Sequence, residues 1–212
     1  MNEEELLKEA AKVYDKLTQD TYIFITGRKG VLQKLILRFT PDQFKHIAGL
    51  HKSDVMKNRP SGAIFRAIKE NKFKFEVLTN SSEYSVMVER WRKMLNLPEY
   101  LNSFHSIYKY DYKLAQSAGI RTDIKADYLI ACENGTVFIF LVIDRKGNVV
   151  PLDIVECQEE IKKTDVLTAT LTVGTPDYTK GQSRPSTVLY KERQTKSNGS
   201  ISKEIILNRL QR

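Results

Sequence analysis

The chain has 212 residues, 41% hydrophobic and 28% charged, with a mean hydropathy of −0.40, which excludes wholesale disorder and collagen-like repeats and fits a single packed domain. Thirty-four Lys+Arg against 26 Asp+Glu give a formal charge of +8, so a polyanion is a natural partner. No apolar run reaches the roughly 18 residues of a membrane span, the acidic start Met1-Asn2-Glu3-Glu4-Glu5 is the reverse of a secretory signal, and two cysteines, Cys132 and Cys157, are too few for a disulfide framework or a zinc cage.

Glu3 to Thr18 places Leu6, Leu7, Ala10, Ala11, Val13, Tyr14 and Leu17 on one stripe, which predicts an amphipathic helix with an acidic first turn. Tyr22 to Thr26 and Val31 to Phe39, joined through Arg28-Lys29-Gly30, predict a hairpin over 22–39. Thr40-Pro41-Asp42-Gln43 reads as a helix start, with Thr40 as N-cap, and the helix carries Phe44, Ile47 and Ala48 to about Gly49. Residues 53–105 read as mostly helical, including Gly62 to Ile68 and Tyr84 to Leu97.

After residue 125 the pattern changes. Ala126–Cys132 and Thr136–Ile143 flank Asn134-Gly135, a strong hairpin signal. Val149–Val155 is a third strand interrupted by Pro151, and Val166–Val173 and Ser186–Lys191 are further strands. The segment from Ile201 to Leu210 suits either strand or helix. Helices first and strands later predict an α+β fold in which N-terminal helices pack on a C-terminal antiparallel sheet over 124–194. The expected organisation is one domain over 1–212 with a helical insertion at about 53–120.

Charge is unevenly spread: residues 1–27 sum to −3, 28–93 to +9, 94–173 to −3 and 174–212 to +5. If the two basic segments share a face, Arg28, Lys29, Lys45 and Lys52 would lie beside Arg184, Lys191 and Arg193. No nucleotide-binding glycine loop is present, and His46, His51 and His105 have no trusted zinc spacing. His46 and His51, five apart, fall off a common helical face. Glu159-Glu160 reads as a solvated charged turn.

Two segments can carry chemistry. In Phe44-Lys45-His46-Ile47-Ala48-Gly49-Leu50-His51-Lys52, His46 sits beside the inward stripe of a helix, as a proton-transfer group or as a packing residue. In Tyr178 to Arg193, Arg184 and Lys191 are cations suited to a phosphate, while Gln182 and Ser186 are neutral donors. RNA cleavage without a metal needs a base for the 2′-hydroxyl, an acid for the leaving oxygen and cations for the phosphorane; a basic exposed strand fits the same residues.

These segments, with Ile124-Lys125-Ala126-Asp127-Tyr128-Leu129, resemble the phage and mobile-element branch of the barnase/EndoU/colicin/RelE-like nucleases. The resemblance implies a BECR-like fold of helices followed by an antiparallel sheet, and a metal-independent endoribonuclease serving as toxin or effector of a phage or mobile element. It places His46 in the active site, completed by Ser186 and Lys191, with Tyr178 and Gln182 at family-like loop positions; the residue types themselves add Arg184 to the catalytic set as a phosphate clamp, and Lys52, Lys180 and Arg193, with Tyr178 and Gln182, to the expected substrate-binding set. RNA is the expected partner, with a cognate inhibitor protein as a second one. No cofactor and no membrane are expected, and the expected compartment is the cytoplasm. A non-catalytic nucleic-acid-binding module is the alternative, as is an interaction module docking through Trp91 and Phe65.

Overall fold

The computed structural model describes residues 1–144, 162–174 and 176–210. Its helices are α1 (Glu3–Leu17), α2 (Phe44–Ile47), α3 (Asp54–Lys57), α4 (Ser61–Lys69), α5 (Glu76–Thr79), α6 (Tyr84–Met94), α7 (Leu97–Ser103) and α8 (Tyr112–Ser117). Its strands are β1 (Asp20–Arg28), β2 (Val31–Arg38), β3 (Ser106–Lys109), β4 (Tyr128–Cys132), β5 (Val137–Ile143), β6 (Lys162–Val173), β7 (Ser186–Ser197) and β8 (Ser200–Asn208). The expected strand Val149–Val155 and the Glu159-Glu160 pair lie outside the described residues, as does Cys157.

The strands run in the order β1-β2-β6-β5-β4-β3-β7-β8, and a further β1–β7 ladder closes the first seven into a ring. β8 hangs on β7 outside that ring. β2 and β6 pair in parallel, and the other described ladders are antiparallel. The expectation of helices laid on a C-terminal antiparallel sheet is therefore overturned: the fold is a closed mixed barrel that also takes in the N-terminal hairpin and β3. The physical reason lies in the hairpin. Tyr22-Ile23-Phe24 and Leu35-Ile36-Leu37 are apolar on both faces and almost fully buried, so each strand needs cover on two sides. Ring closure provides an inner core and leaves the outer face for other segments, while removing free edges.

The inside of the ring is identified by a contact that crosses it. Gln33 on β2 donates to the Tyr128 hydroxyl on β4 (2.7 Å) and to Thr164 on β6 (3.2 Å), although β2 and β4 are not neighbours. Leu35, Leu37, Ile130, Cys132 and Val166 share this inner face and join one core with α1, α6 and α7. The helices thus stopper one mouth of the barrel. Tyr14 of α1 makes edge contacts with Phe39, Phe44 and Phe65, and its hydroxyl donates to the Thr40 carbonyl at 2.9 Å. The other mouth is open, a pocket of about 280 Å³ lined by Thr26, Arg28, Gln33, Lys109, Tyr128 and Ser186. On the outer wall, Leu129, Phe138 and Phe140 pack against Tyr110, Ala115, Ile120 and Tyr178 in a second core.

Several local expectations need revision. α1 opens with a capping box, Asn2 accepting from the Glu5 amide while the Glu5 carboxylate accepts from the Asn2 amide. Thr40 makes no side-chain capping bond, and the helix predicted over 40–49 is a 3₁₀ turn at Pro41–Gln43 followed by one turn of α2. The final segment is a strand, β8. Trp91 and Phe65 face the core rather than a partner, and the Trp91 indole donates to the Ala48 carbonyl at 2.9 Å.

A cationic cleft between the helical cap and the barrel wall

Gly49 builds the first part of the site. Its φ of 75° ends α2, and the chain restarts as a 3₁₀ turn at Leu50–Lys52. The break folds His51 back over His46, so their rings lie 4.6 Å apart with a 32° tilt. On a continuous helix a five-residue spacing would have kept them apart. A Cβ on Gly49 would come within 3.0 Å of Arg90 Cδ, so the glycine also admits the α6 arginine against the turn.

A β-bulge supplies the second part. The β5–β6 register passes from Leu141 opposite Thr168 to Phe140 opposite Thr170, and the extra residue, Ala169, shifts the pleat. Thr170 and Thr172 thereby join the outward face of Phe140 and Phe138. They meet His46, His51, Lys52, Arg90 and Tyr178, with residues 121–125 along the rim, in a cleft of about 610 Å³.

The cleft is strongly cationic. Lys52, Arg90, Arg121 and Lys125 line it against one lining carboxylate, Asp123. Arg90 is only 5% exposed. Its Nη1 donates to the His46 carbonyl at 3.2 Å and to Thr170 Oγ1 at 3.4 Å, and Thr170 itself donates to the same carbonyl. Burial lowers the Arg90 guanidinium to about 10. Burial, then the neighbouring His46 and Arg90, pushes His51 down to about 4; burial, with Lys45 and Arg90, also lowers His46. Both shifts favour the neutral imidazole.

The site residues expected from the sequence fall into separate places. His46, Lys52 and Tyr178 come together in this cleft. Ser186 lines the open barrel mouth instead. Lys191 lies inside the barrel with no exposed surface, donating to the Leu101 and Asn102 carbonyls at 3.3 and 2.8 Å and resting over the Phe104 ring. The Gln182 amide is engaged with the Asp111 backbone at both its ends, Arg193 is ion-paired with Glu204, and Arg184 and Lys180 are exposed. The two basic segments touch where Arg28 meets Ser183, at 3.3 Å. The cleft draws Arg121 and Lys125 from the segment whose net charge is negative.

His51, Arg90 and Thr170 were not anticipated. For Arg90 a signal exists in the sequence: Met87, Trp91 and Met94 form the apolar stripe of α6, and Arg90 lies on that stripe rather than on the solvent face. Thr170 carried none, because its orientation depends on the bulge.

A family model described as phage-Barnase-EndoU-ColicinE5/D-RelE like nuclease4 matches residues 6–206. Neither the curated proteins nor the solved structures contain a match.

Proposed function

The chain belongs to this family of phage nucleases, and from that premise we propose that it is a metal-independent endoribonuclease whose active site is the cleft between cap and barrel. The reading rests on one observation, the close, tilted His46–His51 ring pair lining a cationic cleft. His51, half-buried and held neutral, suits the base that takes the proton from a ribose 2′-hydroxyl. The 2′-oxygen attacks phosphorus, the bond to the 5′-oxygen breaks, and His46 delivers a proton to that leaving oxygen. The products are a 2′,3′-cyclic phosphate and a 5′-hydroxyl. His46 is the more exposed of the pair, and a phosphodiester anion beside it raises its proton affinity enough for an acid role. Lys52 and Lys125 at the rim suit the flanking phosphates of an RNA strand.

We extend this reading to a toxin or effector acting on RNA in the cytoplasm; the family match itself supports a nuclease of this type. Among the described residues no helix is long and apolar enough to cross a membrane. The test is incubation of the purified chain with end-labelled RNA in the presence of a chelator. Cleavage leaving 2′,3′-cyclic phosphate ends is expected; a salt-sensitive mobility shift without cleavage would replace the enzyme by a binding module.

A further inference from the structure

Arg90 is, among the described residues, a buried cation without a counter-ion. Among the described residues no carboxylate reaches it within ion-pair distance, and its neighbours are a backbone carbonyl and a threonine hydroxyl. Glu83, which bears on it electrostatically, is held in an ion pair by Lys52 at 3.0 Å. A guanidinium withdrawn from water in this way is costly unless an anion completes it. Among the described residues three buried polar atoms of side chains that line the cleft lack a partner: Arg90 Nε, His51 Nδ1 and Thr172 Oγ1. The missing component is an acceptor with several oxygens and a negative charge.

We propose that Arg90, with Thr172 and His51, forms a seat for a single phosphate group in the cleft, and that this seat fixes the position of the reacting phosphodiester. As a placement of the scissile phosphate it rests on the nuclease reading; as a phosphate site it does not. The guanidinium is held by the His46 carbonyl and Thr170 before any ligand arrives, and its buried Nε meets the phosphate once the cleft side chains move aside. The α6 arginine and the histidine turn are tied together by that same carbonyl. An anion on Arg90 therefore offsets one of the charges that hold both imidazoles down, and coupling follows: phosphate occupancy makes the histidines easier to protonate.

Inorganic phosphate is the probe, titrated into the full chain against chloride at matched ionic strength. Thermal unfolding should move upward with phosphate alone, and the imidazole proton signals of His46 and His51 should titrate at higher pH in its presence. Arg90→Gln should weaken phosphate binding at least about tenfold, with Arg90→Lys intermediate because it keeps the charge but loses the planar fork. Should Arg90→Gln fail to fold, the side-chain Nε–H resonance of Arg90 in the unaltered protein serves instead, and it should shift on phosphate addition. Equal stabilisation by chloride, an unmoved Nε–H signal, or undiminished phosphate binding in Arg90→Gln would overturn the seat. Phosphate binding that depends on Arg90 in a chain unable to cleave RNA would remove the nuclease reading and keep the seat. RNA cleavage with phosphate binding indifferent to Arg90 would do the reverse.

Discussion

Among the described residues two basic side chains are buried, one inside the barrel and one at its seam with the cap, and they are treated differently. Lys191 is enclosed: two carbonyls at the end of α7 and the Phe104 ring, 3.8 Å from its ammonium, occupy its surroundings. It closes the last turn of a helix whose carbonyls would otherwise point into an apolar core. Arg90 faces a cleft, holds one carbonyl and one hydroxyl, and keeps a donor free. Both charges are disfavoured by burial, Lys191 down to about 8 and Arg90 to about 10. A similar cost therefore serves architecture in one region and leaves a binding surface in the other. Charge count alone cannot tell these two cases apart.

The largest effect is expected at the seam. His46→Ala or His51→Ala should lower single-turnover RNA cleavage by about 10²- to 10⁴-fold, with the melting temperature nearly unchanged. Parallel losses of activity and stability would make the histidines packing residues. In the interior the pattern should invert. Lys191→Ala should cost about 3–5 kcal/mol in denaturant unfolding, through a cavity and two carbonyls left unpaired, while the folded fraction keeps its turnover. Lys191→Met should recover part of the lost stability by refilling the volume. If Lys191→Ala instead abolished cleavage in a stable protein, the distinction between the two regions would collapse.

Gly49→Ala tests the hinge that joins both properties. The left-handed conformation and the contact with Arg90 Cδ predict a loss of about 1–2 kcal/mol, together with lower turnover as the ring pair and Arg90 are displaced. The smallest effect is on pH dependence. His51 titrates near 6.5 when unfolded and near 4 when folded, so the unfolded chain binds its proton first as pH falls. The stability it allows is fully present above pH 6.5 and is lost progressively toward pH 4. Allowing for partial exposure, the loss is about 1–2 kcal/mol, or roughly 2–8 °C in melting temperature. His51→Gln should flatten the curve across that window; an unchanged slope would place the His51 proton elsewhere.

How much of this could be read from the sequence follows from the range of the interactions involved. α1, the 22–39 hairpin and the β4–β5 hairpin around Asn134-Gly135 depend on neighbours a few residues apart, and their patterns were visible. β3 has four residues and too little pattern to register as a strand. The parallel β2–β6 ladder and the β1–β7 closure join residues more than a hundred positions apart, and no local periodicity encodes them. The site shows the same division. His46 and Lys52 stood out as residue types in a motif, whereas the approach of His51 to His46 hangs on the φ of Gly49, and Thr170 enters the cleft by way of a single extra residue in β6.

The closure of the ring has a kinetic side. β7 aligns Thr187 to Thr195 with Gly27 to Asp20, so the seventh strand is made about 160 to 175 residues after the strand it pairs with. Until then β1 and β3 each present an unpaired flank, and the interior has no wall on that side. Contacts of such separation are reached late and slowly, because the loop they close must be ordered first. Lys191 is carried in on that same strand and reaches the carbonyls of α7 only at this stage. A ribosome-bound chain therefore lacks first the strand that joins the two hairpins and then the one that closes the ring, and the barrel that backs the cleft is completed only as β7 docks.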